Sequence, residues 1–208
     1  MTTDVTARER IRALIDSSSV LLFMKGNREA PRCGFSATVV QVLDQLIPDY
    51  GTVDVLADEK LREDIKEYSS WPTIPQLYVR GEFVGGCDIV QESFASGDLH
   101  RKLGVAQVEA DPPAISISDD AAAELRKANA QAPAEFVLRL VIDARYRSRM
   151  LLGPGADDDV AVEADGVTLR MDRLSASRAR DAHVDLMKSR GGNAFSVGLP
   201  HAPTPSNS

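Results

Sequence analysis

A chain of 208 residues, 43% hydrophobic and 26% charged with a formal net charge of -7, is long enough for one large or two ordinary domains with real cores. The acidic balance gives no reason to expect a nucleic-acid or anionic-membrane partner, and no stretch approaches the run of about 20 apolar residues that a membrane helix needs. Residues 1–7 hold no apolar core of signal-peptide length, and the two cysteines, Cys33 and Cys87, fit a reducing cytosol better than a disulfide-stapled fold, so a cytoplasmic location is expected.

From Asp4 to Asp16, Val5, Ile11, Leu14 and Ile15 recur at approximately helical spacing and predict an amphipathic opening helix. Val20 to Met24 is a continuous apolar strand of the kind buried on both faces. Ala37, Val40, Leu43, Leu46 and Ile47 predict a helix that Pro48 to Gly51 stops, and Thr52 to Leu56 predicts a second strand. Between the first strand and that helix lies Pro31-Arg32-Cys33-Gly34-Phe35-Ser36. A thiol there faces first-turn amides and the positive end of the helix dipole, both of which favour thiolate, and Lys25 adds a second positive charge. The bland alternative is a buried, inert cysteine. Ser36 stands where a Cys-x-x-Cys pair would carry its second sulfur, so partners for Cys33 come from outside this stretch.

Glu59 to Ser69 reads as a charged helix with Leu61, Ile65 and Tyr68 inward. Gln76 to Val79 and Glu82 to Val84 form a hairpin around Arg80-Gly81, preceded by Pro75, a candidate cis proline. Asp88 is expected to cap a helix through Val90 and Phe94 that Gly97 stops, with Asp98 to Leu103 adding a turn or two. The order βαβα then ββα is that of a thioredoxin-like fold, a four-stranded mixed sheet with helices on both faces.

Met24-Lys25-Gly26, Cys33-Gly34-Phe35-Ser36, Trp71-Pro72-Thr73-Ile74-Pro75 and Gly85-Gly86-Cys87-Asp88-Ile89 resemble, in content and order, the motif set of CGFS-type monothiol glutaredoxins. The resemblance covers residues 1–107. It implies a glutathione pocket: Lys25 and Arg62 for one carboxylate, Thr73, Ile74 and Pro75 for a strand-like backbone pairing, and the Gly86-Cys87-Asp88 turn for the γ-glutamyl end. Arg62 read on its own is a solvated helix face and Trp71-Pro72 core and turn, while Cys87 is a packed bystander, a ligand-lining residue or a slow second redox thiol. A [2Fe-2S] cluster takes four thiolates, so one Cys33 and one glutathione from each of two protomers complete the set. The resemblance therefore implies a homodimer joined by a bridging cluster with Cys33 as the metal ligand, delivery to iron-sulfur client proteins, and a BolA-type partner. The rival reading is a glutathione-dependent oxidoreductase acting on mixed disulfides through Cys33; a third is an adaptor that recruits assembly factors.

Residues 108–114 are aperiodic and proline-bearing, and are expected to be a linker. Beyond it, Ile115 to Ile117 predicts a strand, Ser118-Asp119-Asp120 an N-cap for a helix over Ala121 to Ala130, and Glu135 to Ile142, Val160 to Ala164 and Val167 to Met171 further strands. A helix is expected through Asp185 and a last strand over Phe195 to Val197. Asp157-Asp158-Asp159 is most simply a solvated turn, and His100, His183 and His201 surface or tail residues without ligand spacing. Residues 115–202 faintly resemble HesB/IscA-like A-type carrier domains, through Ile117 to Ala122, Leu138-Arg139-Leu140 and Gly191 to Phe195, an α+β, β-rich fold. Those carriers hold metal with three cysteines and this half has none, so the resemblance implies a degenerate domain left with a docking or dimerising role. Residues 203–208 are expected to be a disordered tail.

Overall fold

The computed structural model describes residues 2–106, 108, 110–189 and 192–203, in two compact units, Met1–Gln107 and Val108–Ser208. In the first unit the elements run α1 (Thr2–Asp16), β1 (Val20–Met24), α2 (Gly34–Leu46), β2 (Gly51–Asp54), α3 (Glu59–Ser69), β3 (Gln76–Val79), β4 (Glu82–Gly85), α4 (Cys87–Ala95) and α5 (Asp98–Leu103). Their strands form one mixed sheet in the order β2-β1-β3-β4, with β1 parallel to β2 and antiparallel to β3. β1 is buried along its whole length because it is central and covered on both faces. Leu21 and Phe23 enter a core with Ile11 and Ile15 of α1 and Leu61 and Ile65 of α3. Alternation along the strand sends the fully buried Leu22 and Met24 to the opposite face. Each such side chain is worth about 1.5–3 kcal/mol removed from water.

The ends of the elements follow from local chemistry. α2 stops because Ile47, the residue before Pro48, is extended (φ -133°) as the proline ring demands. Asp58 caps α3, accepting the Leu61 N–H at 2.9 Å. The β3–β4 turn places Arg80 and Gly81 at φ 51° and 84°, the double positive φ of a two-residue hairpin, which glycine tolerates at its second position. The expectation for α4 needs correction. Gly86 is its N-cap, Cys87 its first residue, and Asp88 lies within the first turn without capping it. The second strand is also one residue earlier and shorter than expected.

The second unit holds β5 (Ile115–Ile117), α6 (Asp119–Gln131), β6 (Phe136–Ile142), β7 (Ser148–Pro154), β8 (Val160–Ala164), β9 (Val167–Met171), α7 (Arg173–Arg178), β10 (Ala182–Ser189) and β11 (Gly192–Gly198). They make two sheets, β11-β10-β5 and β7-β6-β9-β8. The helix expected through Asp185 is strand β10: Ala182 and Val184 are buried while His183 and Asp185 are exposed, a period of two that no helix has. β7 was not foreseen, since Ser148-Arg149 and Gly153-Pro154 frame its apolar centre with residues that read as turn. Ser118 sits at the N-cap of α6, but its hydroxyl donates to Asp185 Oδ1 at 2.7 Å instead of bonding the first turn.

Two polar expectations change. Asp157 and Asp158 are exposed, but the Asp159 side chain is 1% exposed and paired with Arg139, whose Nη2 donates to Oδ1 at 2.8 Å. Asp159 Oδ2 also accepts the Ala156 N–H at 2.9 Å, so the run closes a loop instead of lying solvated. His100 is buried and stacked on Phe94 with ring centroids 5.3 Å apart, and burial pushes its pKa down. His183 and His201 are exposed, bonded to Ser116 Oγ and Asp181 Oδ2. Within the stretch expected to link the units Glu109 lies outside the described residues, as do Gln107 just before it, Gly191 of the second unit's glycine motif and the tail from Thr204 onward.

Candidate functional site

At the C-terminal end of β1 the chain enters a loop, residues 26–32, and then α2. Cys33 is the N-cap of α2, with extended backbone (φ -153°, ψ 137°). No first-turn amide closes a full cap hydrogen bond with its sulfur. What the helix start supplies is a field: the Ser36 N–H above all, then the Phe35 N–H, the Lys25 ammonium and the Ser36 hydroxyl, hold the thiol below its ordinary range against an opposing desolvation. Ser36 is completely buried, and its Oγ accepts the Lys25 N–H at 3.2 Å, tying the end of β1 to the first turn of α2.

Cys33 opens onto a cavity of about 510 Å³. All the residues singled out from the sequence line it: Lys25, Cys33, Arg62, Thr73, Ile74, Pro75, Gly86, Cys87 and Asp88. Ile74–Pro75 is a cis peptide bond, and the Ile74 side chain is in the core, so Ile74 offers the cavity its backbone. The buried Gln76 fixes that wall, its Nε2 donating to the carbonyls of Trp71 (3.1 Å) and Thr73 (3.2 Å). Gly86 is required by close approach: a Cβ there would sit 2.9 Å from Trp71 Nε1.

The cavity's electrostatics are uneven. Lys25, Arg62 and Lys66 bring three cations, and Asp88 faces them as the one carboxylate among the lining residues. Arg62 Nε is buried with no hydrogen-bond partner, a donor left for something else to satisfy. Cys87, 9% exposed, lies close to Gln91 Oε1 (3.6 Å), and burial first, then the Asp88 carboxylate, push its thiol up. The site thus pairs one thiolate-prone sulfur with one held as a thiol. An anionic, peptide-like ligand with backbone groups to pair at Ile74 suits such a cavity.

Sequence reasoning missed Phe35, Lys66 and Ile89 among the lining residues, read the lining Trp71 and Pro72 as core and turn, and missed the supporting Gln76. Lys66 lies four residues after Arg62 on α3, a spacing that shares a helix face and was a usable signal. Phe35 stands inside the cysteine motif yet is 62% exposed, as an apolar lip. Gln76 gave no signal, since a glutamine opening an apolar strand reads as its polar end. Among the described residues no group of three or more His, Cys, Asp or Glu side chains is arranged to hold a metal ion. No described helix is long and apolar enough to cross a membrane.

The Glutaredoxin family model matches residues 20–84. A Synechocystis protein, an uncharacterized monothiol glutaredoxin ycf64-like, is 52% identical over 99 residues, which is 48% of this chain and 92% of that one. The chloroplastic monothiol glutaredoxin-S7 of rice is 52% identical over 101 residues, 49% of this chain; the matched stretch spans 60% of the rice protein's length. The solution structure of reduced poplar apo GrxS14 is 48% identical over 47% of this chain and 89% of its own, with a TM-score of 0.43.

Proposed function

This chain belongs, through its N-terminal half, to the monothiol glutaredoxins, and we propose that it binds glutathione and carries a bridging [2Fe-2S] cluster to client proteins. The observation that carries the reading is the placing of Cys33, partly exposed at the start of α2, on a cavity whose second sulfur, Cys87, is buried beside Asp88. A cluster needs four thiolates and each protomer has one suited to the task, so a cavity that accepts a second, borrowed thiol completes the set in pairs. Glutathione fits the donors on hand. Its glycyl carboxylate suits Lys25, Arg62 and Lys66, the orphaned Arg62 Nε among them. Thr73, Ile74 and Pro75 suit its central residue, and the Gly86-Cys87-Asp88 turn at the start of α4 its γ-glutamyl end, Asp88 meeting the ammonium. Cys33 and the glutathione sulfur would hold the cluster, which as cargo is released with half its ligands non-protein.

A second reading draws on the same lowered thiol. In the oxidoreductase cycle the Cys33 thiolate attacks the glutathione sulfur of a protein mixed disulfide, releasing the protein thiolate and leaving Cys33 disulfide-linked to glutathione. A second glutathione thiolate then attacks that glutathionyl sulfur, giving glutathione disulfide and regenerating Cys33. The second unit is read as a cysteine-free relative of the HesB/IscA carriers that docks an assembly partner, with a BolA-type protein as a further partner and a reducing, cytoplasmic compartment as the setting.

Anaerobic reconstitution with iron, sulfide and glutathione tests the leading reading. Visible charge-transfer absorption and a dimer are expected, both lost in Cys33→Ser and both absent when glutathione is omitted. Turnover of a small mixed disulfide with no chromophore under any condition would instead establish the oxidoreductase.

A further inference from the structure

Lys25 and Cys33 both line the cavity, yet the segment 26–32 that joins them stays out of it. Tethered at both ends, a segment of that length reaches roughly 12 Å from its anchors when extended, far enough to lie across the sulfur beside one of them. It folds back instead. Arg32 N–H donates to Lys25 O at 2.9 Å, Ala30 N–H donates to Asn27 Oδ1 at 2.8 Å, and Gly26 pairs with Pro31.

Arg28 fastens this loop. It is 8% exposed, and its Nε donates to Asp44 Oδ1 at 2.7 Å and its Nη1 to Pro48 O at 3.1 Å. Nη2 lies 2.6 Å from the same Asp44 oxygen, out of hydrogen-bond alignment. The guanidinium stacks 4.2 Å from the Tyr50 ring centre, and the Tyr50 hydroxyl donates to Asp44 Oδ1 at 2.9 Å. Asp44 is near the C-terminal end of α2, roughly 16 Å along the helix axis from the end that Cys33 caps. A buried ion pair adds little net stability over an apolar filling, and its best-attested use is to select one arrangement over others.

We infer that Arg28 is a positioning residue: by fastening the 26–32 loop to the far end of α2 it holds that loop off the Cys33 sulfur and keeps the cavity mouth open to bulky partners. The inference rests on reading Cys33 as the reacting centre. It gives the glycine-to-arginine stretch before the cysteine a task of its own, separate from tuning the sulfur.

The test compares the rates at which Cys33 of the full apo chain reacts with N-ethylmaleimide and with the same maleimide on a polyethylene glycol chain. A released loop that covers the sulfur about two-thirds of the time lowers the bulky rate about threefold. Arg28→Met is expected to lower the bulky-to-small rate ratio by about that factor, and Asp44→Asn, which keeps shape and an acceptor oxygen, by less. Mass spectrometry assigns the labels, and rapid labelling of the buried Cys87 marks a variant as unfolded, leaving the milder variant to decide. A folded variant with an unchanged or raised ratio overturns the inference, because a merely structural clamp lowers the melting temperature without altering size selectivity. Wild-type cluster uptake is measured separately, so failure of the carrier reading leaves this ratio intact and failure of the clamp leaves cluster uptake intact.

Discussion

The two cysteines of this chain both stand at the start of a helix, and their thiols shift in opposite directions. Cys33 is the N-cap of α2, outside the first helical turn, partly buried and near the Ser36 and Phe35 amides. Cys87 is one position further in, the first residue of α4, buried, and beside the Asp88 carboxylate. The helix dipole is common to both, so it cannot be what separates them. Residue position relative to the first-turn N–H groups, solvent access and the sign of the adjacent charge decide, and here all three agree at each site.

The comparison breaks most openly at the cluster. Cys33→Ser is expected to abolish visible absorption after reconstitution altogether, since a serine hydroxyl is not ionised near neutral pH and does not replace the thiolate. Full retention of colour would mean that Cys87 is the ligand and that the reading of the two sulfurs is reversed. Next in size is chemical selectivity. At pH 7 iodoacetamide should label Cys33 at least about tenfold faster than Cys87, as read by peptide mass spectrometry, because the Cys33 thiol is lowered and accessible while the Cys87 thiol is raised and buried. The pH profile carries a sign. The folded Cys33 thiol ionises below the unfolded one, so its contribution to stability is present in full above the unfolded thiol's range and is lost as pH falls through the folded value. The stability of wild type relative to Cys33→Ser should therefore rise with pH across that window in denaturant titrations.

How much of this was legible before the structure depended on whether neighbours in sequence or neighbours in space carried the signal. β1, α3, the β3–β4 hairpin and α5 fell where the apolar run of Val20 to Met24, the Leu61-Ile65-Tyr68 face, Arg80-Gly81 and Gly97 put them, because each is decided within its own few residues. The cavity wall was legible through short motifs, each of them contiguous. Misreadings came where a partner lay far along the chain. Asp159 was expected to be solvated because nothing local announces Arg139, which lies in β6. His100 was expected at the surface because its stacking on Phe94 crosses a helix break. β10 was a local miss of another kind, because Ala182, Val184 and Leu186 alternate with His183 and Asp185 in the sequence itself, whereas Arg28 drew no notice because Asp44 and Tyr50 belong to other elements.

Two smaller effects sharpen the contrast between the sulfurs. Asp88→Asn removes a carboxylate that raises the Cys87 thiol, so the Cys87 titration, followed by thiolate absorbance at 240 nm in a Cys33→Ser background, should move down while burial still keeps it above the ordinary thiol range. The same change should weaken glutathione binding by calorimetry if Asp88 meets its ammonium; unchanged affinity would remove Asp88 from the pocket.

Lys25→Met gives the least. Its ammonium lowers the Cys33 thiol by less than the Ser36 and Phe35 amides do, and the backbone N–H that Lys25 gives to Ser36 Oγ survives the substitution. The Cys33 midpoint should therefore rise only slightly. Because the lost interaction is between a charge and a partly exposed thiolate, the rise should shrink as salt is raised and the Debye length falls from about 10 Å at 0.1 M to about 3 Å at 1 M. The amide contribution acts over a shorter range and is screened far less, so the wild-type midpoint at 1 M salt should approach that of Lys25→Met and stop short of an unperturbed thiol. A wild-type midpoint that returned to the ordinary thiol value in salt would make Lys25, and not the helix start, the source of the asymmetry between Cys33 and Cys87.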